Sequence, residues 1–573
     1  MKNIYIFAFL LCYGTVFSQD EGIPYRNQTI TSKPASLQKT SFALGGTYTI
    51  GGSSPDYANF ATAISALVTQ GVTAPVQFLI RAGIYNEQIS IGQVPGISSI
   101  NNVQFISENG DSTSVKLTFA SSSASLNNYT LQLNDADHIS FTSITFERSG
   151  TDDYSTVVEL TGGCDSITFS NNLFTGPAGL NTINATGSKS GIYSDNTINN
   201  NDLNILSNRF TGNANGIWVG GNSAGPFADG LMISNNIFST FYVGAFALYQ
   251  NSPVISGNNI VRNDLNSTLD FYGISLRYIT GSEEVTGNRV ICYKGGYGIR
   301  FRDAVSLAGN EGLLANNMVQ IGDPNIGRGI SLEDDCAYKL VYHNSVSYNQ
   351  VNTTGRAFNV EGTATSNITL KNNCFSNSGG GITIYITTGA TAGITASDYN
   401  CMYTTGLVYA YWATNLSGLT AWQVVTSGYD QHSLSVNPGF FSLTDLHVNS
   451  ATLDNAGTSV GITIDYDGDS RNPTTPDIGA DEFTFSAINE MENSYLSLSP
   501  NPMRSTTLIK IDDASSAHKL QVLNSAGQLV REEIFTGSSY TFSREDIDSG
   551  IYFLKVTNVK SQVSGIQKLV ITE

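Results

Sequence analysis

The sequence predicts an all-β chain: a right-handed parallel β-helix solenoid with an N-terminal capping helix, followed by a small C-terminal β-sandwich. Three observations predict it. A short phrase built around Asn recurs through the middle of the chain, with most spacings between 23 and 29 residues. Only 13% of the 573 residues are charged, while Gly, Asn, Ser and Thr abound, as suits many short strands joined by polar turns. Beyond about residue 495, well after the repeat has ended, longer alternating strands separated by Gly turns take over.

The first residues, MKNIYIFAFLLCYGTVFSQD, join Lys2 to an apolar run and end near the small Ser18. That is the pattern of a secretory signal peptide over 1–18, too short to span a membrane. A linker is expected over 19–44. No later stretch is apolar enough to cross a membrane. The net charge of −19 disfavours nucleic acid as a partner. Cleavage would leave five cysteines, too few and too scattered for a disulfide framework. Cys374 and Cys401 each follow a matched Asn in adjacent repeats and are expected to stack as free, partly buried thiols.

Residues 45–125 read as a cap and first coils. Within SPDYANFATAISALVTQG (54–71), Ser54 is the expected N-cap and Pro55 the first turn. Tyr57, Phe60, Ile64 and Leu67 share one face, and Gly71 ends the helix. This is the one clear helix in the chain, placed to plug the open end of a solenoid. The strands VQFLIRAGIYNEQISI and VQFISENGD follow. The order of helix, strand and G-x-Y-x-E turn (Gly83, Tyr85, Glu87) resembles the opening of the pectin-lyase-like superfamily, above all pectin methylesterases. The resemblance covers roughly 45–115 and implies the fold. The esterase motifs D-F-I-F-G and G-R-P-W and the polygalacturonase motifs N-T-D, G-H-G and R-x-K are absent, so it carries over no catalytic residue.

The β-helix is expected over 126–484. The matched Asn falls at 172, 208, 236, 259, 288, 317, 344, 373 and 400, with Ser143 in its place one period earlier. A unit this short cannot bury its apolar face alone and must stack on its neighbours. The Asn residues then form a structural ladder at a turn that tolerates left-handed dihedrals.

After each Asn turn comes a strand: GIWVGG, GAFALYQ, GISLRY, GIRFRD, GISLED, AFNVEG and GITIYI. Registered on the leading Gly or Ala, one outward column reads Trp218, Phe246, Ser275, Arg300, Ser331, Asn359, Thr383. The next reads Gly220, Leu248, Arg277, Arg302, Glu333, Glu361, Tyr385, with Tyr278, Asp303 and Asp334 at the strand edge. Arg302 is expected over Glu333. Arg277 beside Arg302 and Glu333 beside Glu361 are like-charge neighbours, costly without an outside partner. Trp218, Phe246, Arg277, Arg300, Arg302, Glu333, Glu361 and Tyr385 are therefore candidate ligand-binding residues. Aromatic platforms beside guanidinium and carboxylate groups suit an extracellular, acidic polysaccharide. A solvated ion-pair ladder is the plain alternative.

Catalysis is a second reading of the same face. A polysaccharide lyase would use Arg277, Arg300 or Arg302 to neutralise or abstract, with Glu333 and Asp334 holding calcium. A glycoside hydrolase would use Asp303 and Asp334 as a carboxylate pair. Two functions thus stand open: a surface protein that binds polysaccharide or acts as an adhesin, and a lyase or hydrolase acting on uronate-containing glycans.

Residues 436–484 change character, ending in DYDGDSRNPTTPDIGADEF, and resemble the last coils of large bacterial β-helix surface proteins. Asp465, Asp467 and Asp469 crowd around Gly468 and could hold Ca2+, unless Arg471 neutralises one of them. A polar linker at 485–495 precedes 496–573. The motifs Pro500-Asn501-Pro502, Gly527, Gly550-Ile551-Tyr552, Leu554-Lys555-Val556 and Lys568-Leu569-Val570 resemble, in order, the C-terminal sorting domain of type IX secretion in Bacteroidetes-type bacteria. The resemblance implies the type IX machinery as partner and a destination outside the outer membrane. Once there, this domain would be removed or replaced by a lipid-linked anchor. A monomer is expected.

Overall fold

The computed structural model describes residues 42–177, 189–262, 269–322, 327–484, 496–511, 517–559 and 564–573. The expected signal peptide, nearly all of the 19–44 linker and the 485–495 linker lie outside the described residues.

Strand β1 (Leu44–Ile50) pairs in parallel with Val72–Ile80, and from there the chain winds as a parallel β-helix with three faces. The first and second faces are joined into one 27-stranded sheet by strands such as Val243–Asn251 and Tyr272–Thr280; the third face is a separate ladder of 12 strands. Apolar residues at alternate positions point inward and stack coil upon coil. Phe78, Phe105, Phe141 and Phe169 form one such column, with ring centroids 4.8, 5.2 and 5.3 Å apart. Phe174, Phe210 and Phe238 form another at 4.7 and 4.8 Å.

The corner between the second and third faces carries the Asn ladder. Each ladder Asn accepts the backbone N–H of the preceding one at 2.8–3.1 Å and donates its amide to a carbonyl one coil back. The member at the fourth rung is Asn258 rather than Asn259: its amide reaches the Ile233 carbonyl and Asn288 Oδ1 at 2.9 Å each. Asn259 instead begins the third-face strand, opposite Ile237 and Arg289. What decides is the residue before the rung, which takes a left-handed φ: 55° at Asn171, 65° at Gly257, 63° at Gly287. Ser143 (φ 56°) aligns with that preceding position, and Ile144 stands in the rung. The last rung, Asn400, ends on Asp430 and Ser433.

The opening helix α1 (Phe60–Gln70) starts later than expected. Asn59 is its N-cap, in a reciprocal capping box with Thr62, and Gly71 (φ 69°) is its C-cap. Ser54–Asp56 turn against β1 instead, because the Asp56 carboxylate accepts the Thr49 N–H and hydroxyl, both at 2.8 Å. The G-x-Y-x-E turn now has a physical reason. Glu87 accepts the N–H groups of Phe60 (3.2 Å) and Ala61 (2.9 Å), the free donors of the first helical turn. The Tyr85 hydroxyl donates to the carbonyls of Ile50 and Arg81. A second helix, α2 (Leu419–Val425), was not expected; its buried Trp422 covers the other end and donates to Asp430 at 2.7 Å.

Residues 436–484 form no coil. They run back along the outside of the third face as a strap. Val448, Leu453 and Ile478 pack on Cys374 and Cys401; Leu446 and Ala480 pack on Met318. Polar ties reach further, from Arg289 to the Thr444 carbonyl (2.8 Å) and from Arg471 to Asn316 (2.9 Å). Buried His343 donates through Nδ1 to the Gly479 carbonyl and accepts the Asn372 amide at Nε2, and burial holds its pKa well below the usual value. Cys374 and Cys401 are in register on successive coils, free and fully buried beneath the strap.

The C-terminal module has a three-stranded and a four-stranded antiparallel sheet around Leu520, Val522, Phe542, Leu554, Val556 and Leu569, a small sandwich as expected. Asn501 of the Pro-Asn-Pro motif stitches to the closing strand, donating to the Lys568 carbonyl (2.7 Å) and accepting the Val570 N–H (2.9 Å).

Candidate functional site

The first face carries a column continuous in register, with Ser275, Ser331 and Asn359 buried within it. Successive strands pair Ser90, Gln132, Glu159, Tyr193, Trp218, Phe246, Ser275, Arg300, Ser331, Asn359, Tyr385 and Tyr411 one above another. The sequence register holds from Trp218 to Asn359 and then slips by two. Tyr385 falls opposite Asn359 rather than Glu361, and Thr383 is buried, donating to the Tyr409 carbonyl. The slip is set by Asn377, whose side chain accepts the Gly381 N–H and donates to the Gly355 and Ile382 carbonyls.

Tyr193, Trp218 and Phe246 are half-buried on three successive coils, with the Trp218 and Phe246 rings edge to face at 4.2 Å. At the far end Tyr385 and Tyr411 stack at 4.3 Å. Between them lies the charged segment. Arg302 and Glu333 are backbone partners on adjacent coils, as expected. Their side chains do not pair with each other. Arg300 donates to Glu333 Oε2 from Nε (2.8 Å) and Nη2 (2.6 Å), while Ser331 holds Oε1 at 2.9 Å. Arg302 turns to Asp334 at the strand edge, with Asp303 3.9 Å away.

That edge is a corner of left-handed residues, Tyr249, Tyr278, Asp303 and Asp334, with φ between 53° and 56°. The turn swings Asp334 under Arg302 and leaves Glu333 to Arg300. Arg277 lies over the Tyr278 ring (4.6 Å) and donates to its hydroxyl at 2.7 Å. Burial first, then the Asp334 charge, pushes the Asp303 carboxyl up, whereas the Asp334 hydrogen bond raises Arg302.

The expected like-charge clash is thus resolved from within the protein. Its resolution uses residues that the register on Gly passed over, those just before the leading Gly or Ala. Tyr272, Tyr297, Arg328 and Arg356 pair in sequence there. Arg356 binds Glu361 at 2.5 Å and Asn359 at 2.6 Å, and its guanidinium lies 3.4 Å from the Tyr385 ring centre. Arg328 reaches Glu361 (3.6 Å) and the Tyr297 hydroxyl (2.9 Å). Burial, reinforced by Glu333, pushes the Tyr297 phenol up to about 12, so it stays a neutral donor or acceptor. The repeated Y-G, Y-G, R-G, R-A pairs were the available signal.

The three aspartates of the acidic turn do not converge. Asp465 is buried, and its oxygens accept the N–H groups of Asp467 (3.0 Å), Asp469 (2.8 Å) and Glu482 (2.9 Å). Asp467 points instead at His447.

Fold and tail together define an exported parallel β-helix protein. Residues 497–572 match the family described as secretion system C-terminal sorting domain, so the tail directs the chain through type IX secretion to the cell surface. Residues 182–368 match the family described as periplasmic copper-binding protein (NosD). No curated protein matches. Among solved structures, pectin methylesterase PemA from Erwinia chrysanthemi is 11% identical, with a TM-score of 0.23, covering 56% of this chain and 90% of its own. A tailspike protein mutant of E. coli bacteriophage HK620 in complex with pentasaccharide is 12% identical, with a TM-score of 0.24, covering 92% of this chain and 86% of its own. No described helix is long and apolar enough to cross a membrane.

The residues of the 182–368 stretch do not fit a copper centre. Of its sulfur and imidazole donors, Cys292, Cys336 and His343 are each buried in a separate place, and Met232 and Met318 stand on strands of different sheets. The first two donate to carbonyls of Gly295 (2.9 Å) and Glu333 (3.2 Å), and among the described residues they do not converge with His343.

Proposed function

We propose that this cell-surface β-helix binds an extended, acidic extracellular polysaccharide along its first face, as a monomer and without turnover. The observation that carries the reading is the outward column itself. From Tyr193 to Tyr411 it crosses eight coil steps, about 38 Å at ~4.8 Å per coil. Half-buried rings stand at both ends and guanidinium groups between, a surface matched to a linear chain lying along the axis. The face is also less acidic than the molecule as a whole. Arg277, Arg300, Arg302, Arg328 and Arg356 balance Glu159, Asp303, Glu333, Asp334 and Glu361, whereas the whole chain has 28 Lys and Arg against 47 Asp and Glu.

Against lyase chemistry, the carboxylates that would hold its calcium are engaged. Glu333 has both oxygens held by Arg300 and Ser331, and Asp334 is held by Arg302. The test is retardation of the purified chain in gels containing a panel of neutral and uronate polysaccharides. Trp218→Ala is expected to weaken retardation by neutral and acidic polymers alike, Arg302→Ala by acidic polymers only. Unchanged retardation in both variants, or release of unsaturated, ultraviolet-absorbing products, the signature of base-catalysed elimination, would overturn the proposal.

A further inference from the structure

We propose that the strap carries a site for a divalent first-row transition ion, ligated by His447 Nε2 and the carboxylates of Asp467 and Asp481. One ligand atom from each of the three lies within 4.8 Å of the others. They come from three separate stretches of the strap, brought together where it crosses the third face beside Met318.

The local geometry is built to present them. Asp465 spends its carboxylate on the backbone of its own turn, with Gly468 (φ 90°) allowing the reversal, and this leaves Asp467 projecting from the turn. Asp467 Oδ2 lies 2.6 Å from His447 Nε2. The other ring nitrogen, Nδ1, is held by the Asp445 carboxylate, which fixes the ring so that Nε2 faces the remaining acids. A carboxylate behind an imidazole that faces an ion is the usual outer-shell arrangement at metal-ligating histidines.

Asp481 supplies the second observation. The residue is only 7% exposed, and its carboxylate faces His447 and the Val448 N–H as well as the carboxylates of Asp465 and Asp467. Like charges so placed repel one another, and a cation held between them relieves that repulsion. The two nearby guanidinium groups are engaged with other partners. Arg471 serves Glu482, Asn316 and the Gly479 and Ala480 carbonyls; Arg289 serves Asn259 and the Thr444 carbonyl. One imidazole is left for the carboxylates of Asp445, Asp467 and Asp481.

The donor set selects the ion. Nitrogen plus two carboxylate oxygens suits zinc and its neighbours, with water completing the shell, whereas calcium takes oxygen ligands alone. Binding replaces the proton between His447 Nε2 and Asp467 by a metal–nitrogen bond and releases that proton to solvent; the Nδ1–H to Asp445 contact is retained. The ion would clamp the strap's three segments against the solenoid.

The experiment is calorimetric titration of the EDTA-stripped, dialysed full chain with zinc, in two buffers of different ionisation enthalpy, followed by native mass spectrometry. One zinc per chain, net proton release and a raised melting midpoint with zinc but not with calcium are expected. His447→Gln and Asp467→Asn should each lower affinity more than tenfold. Asp445→Asn should lower it by about tenfold, as outer-shell substitutions do, and Asp469→Asn should leave it unchanged. Failure of the wild-type chain to take up zinc, equal stabilisation by calcium, or wild-type affinity in folded His447→Gln would overturn the site.

Discussion

Asn317→Ala is the sharpest perturbation of the solenoid. Asn317 is fully buried in the middle of the ladder. Its Oδ1 accepts the Asn288 N–H and side-chain amide, both at 3.0 Å, while its own amide donates to the Val285 carbonyl (2.7 Å) and Asn344 Oδ1 (2.9 Å). Asn288 keeps a partner for its amide in the Ile255 carbonyl, and Asn344 Oδ1 still accepts the Asn317 N–H. Two backbone groups, the Asn288 N–H and the Val285 carbonyl, lose their ladder partner in a dry corner. At about 1–3 kcal/mol for each buried group left unsatisfied, the variant loses about 2–6 kcal/mol. Asn259→Ala is the control. That side chain is half-buried and gives up one contact, from Arg289 at 3.0 Å, so its cost is below about 1 kcal/mol. Urea midpoints followed by fluorescence, compared at constant slope, give both values. Equal midpoint shifts in the two variants would refute the assignment of Asn258, not Asn259, to the ladder. A shift of less than about 1 kcal/mol for Asn317→Ala would refute the ladder as a source of stability.

Three further outcomes follow from the same contacts. Arg300→Ala leaves Glu333, 6% exposed, without its closest cation and should cost about 1–3 kcal/mol, whereas Arg302→Ala, whose partner Asp334 is half-exposed, should cost less than about 1 kcal/mol; denaturant midpoints that reverse this order would contradict the diagonal pairing. Burial pushes the Asp477 carboxyl up to about 7, against about 3.9 when unfolded, so the native chain retains a proton there that the unfolded chain releases. Its stabilising contribution is complete below about pH 4 and lost as pH rises to about 7. Melting midpoints measured across that range should therefore fall less steeply in Asp477→Asn than in the wild type. Deleting 496–573 should leave the β-helix folded but held in the periplasm, and its normal appearance on the cell surface would contradict the sorting role.

The solenoid was legible because each coil repeats one physical requirement, a dry corner that only an amide fills well, and that requirement marks the sequence at every turn. The same signal was blind by one residue at SGNNIV, where two adjacent Asn fit the period equally; the left-handed glycine before Asn258 separates them. The first-face register could be read while coil lengths kept step, and failed where Asn377 draws in the Gly379–Gly381 loop. The candidate site was half visible: the columns were right, but the partners were set by corner dihedrals that turn Asp334 rather than Glu333 toward Arg302. The strap was invisible to periodicity because it has none. A trace did exist in the third-face outward positions Met318, Cys374 and Cys401, apolar where a solvent-facing position would be polar.

The strap also divides the molecule in two for unfolding. In an array where each coil touches only its neighbours, coils can fray one at a time from an open end. Arg289 is joined to Thr444, and Asn316 to Arg471, each across 155 residues of chain. Cys374 and Cys401 share the same apolar cover. Coils from about 289 to 404 cannot separate from one another without lifting that cover, so they open as one cooperative block. The coils before them have no such tie among the described residues. Under tension or heat the N-terminal half should yield in small steps and the C-terminal half in a single large one.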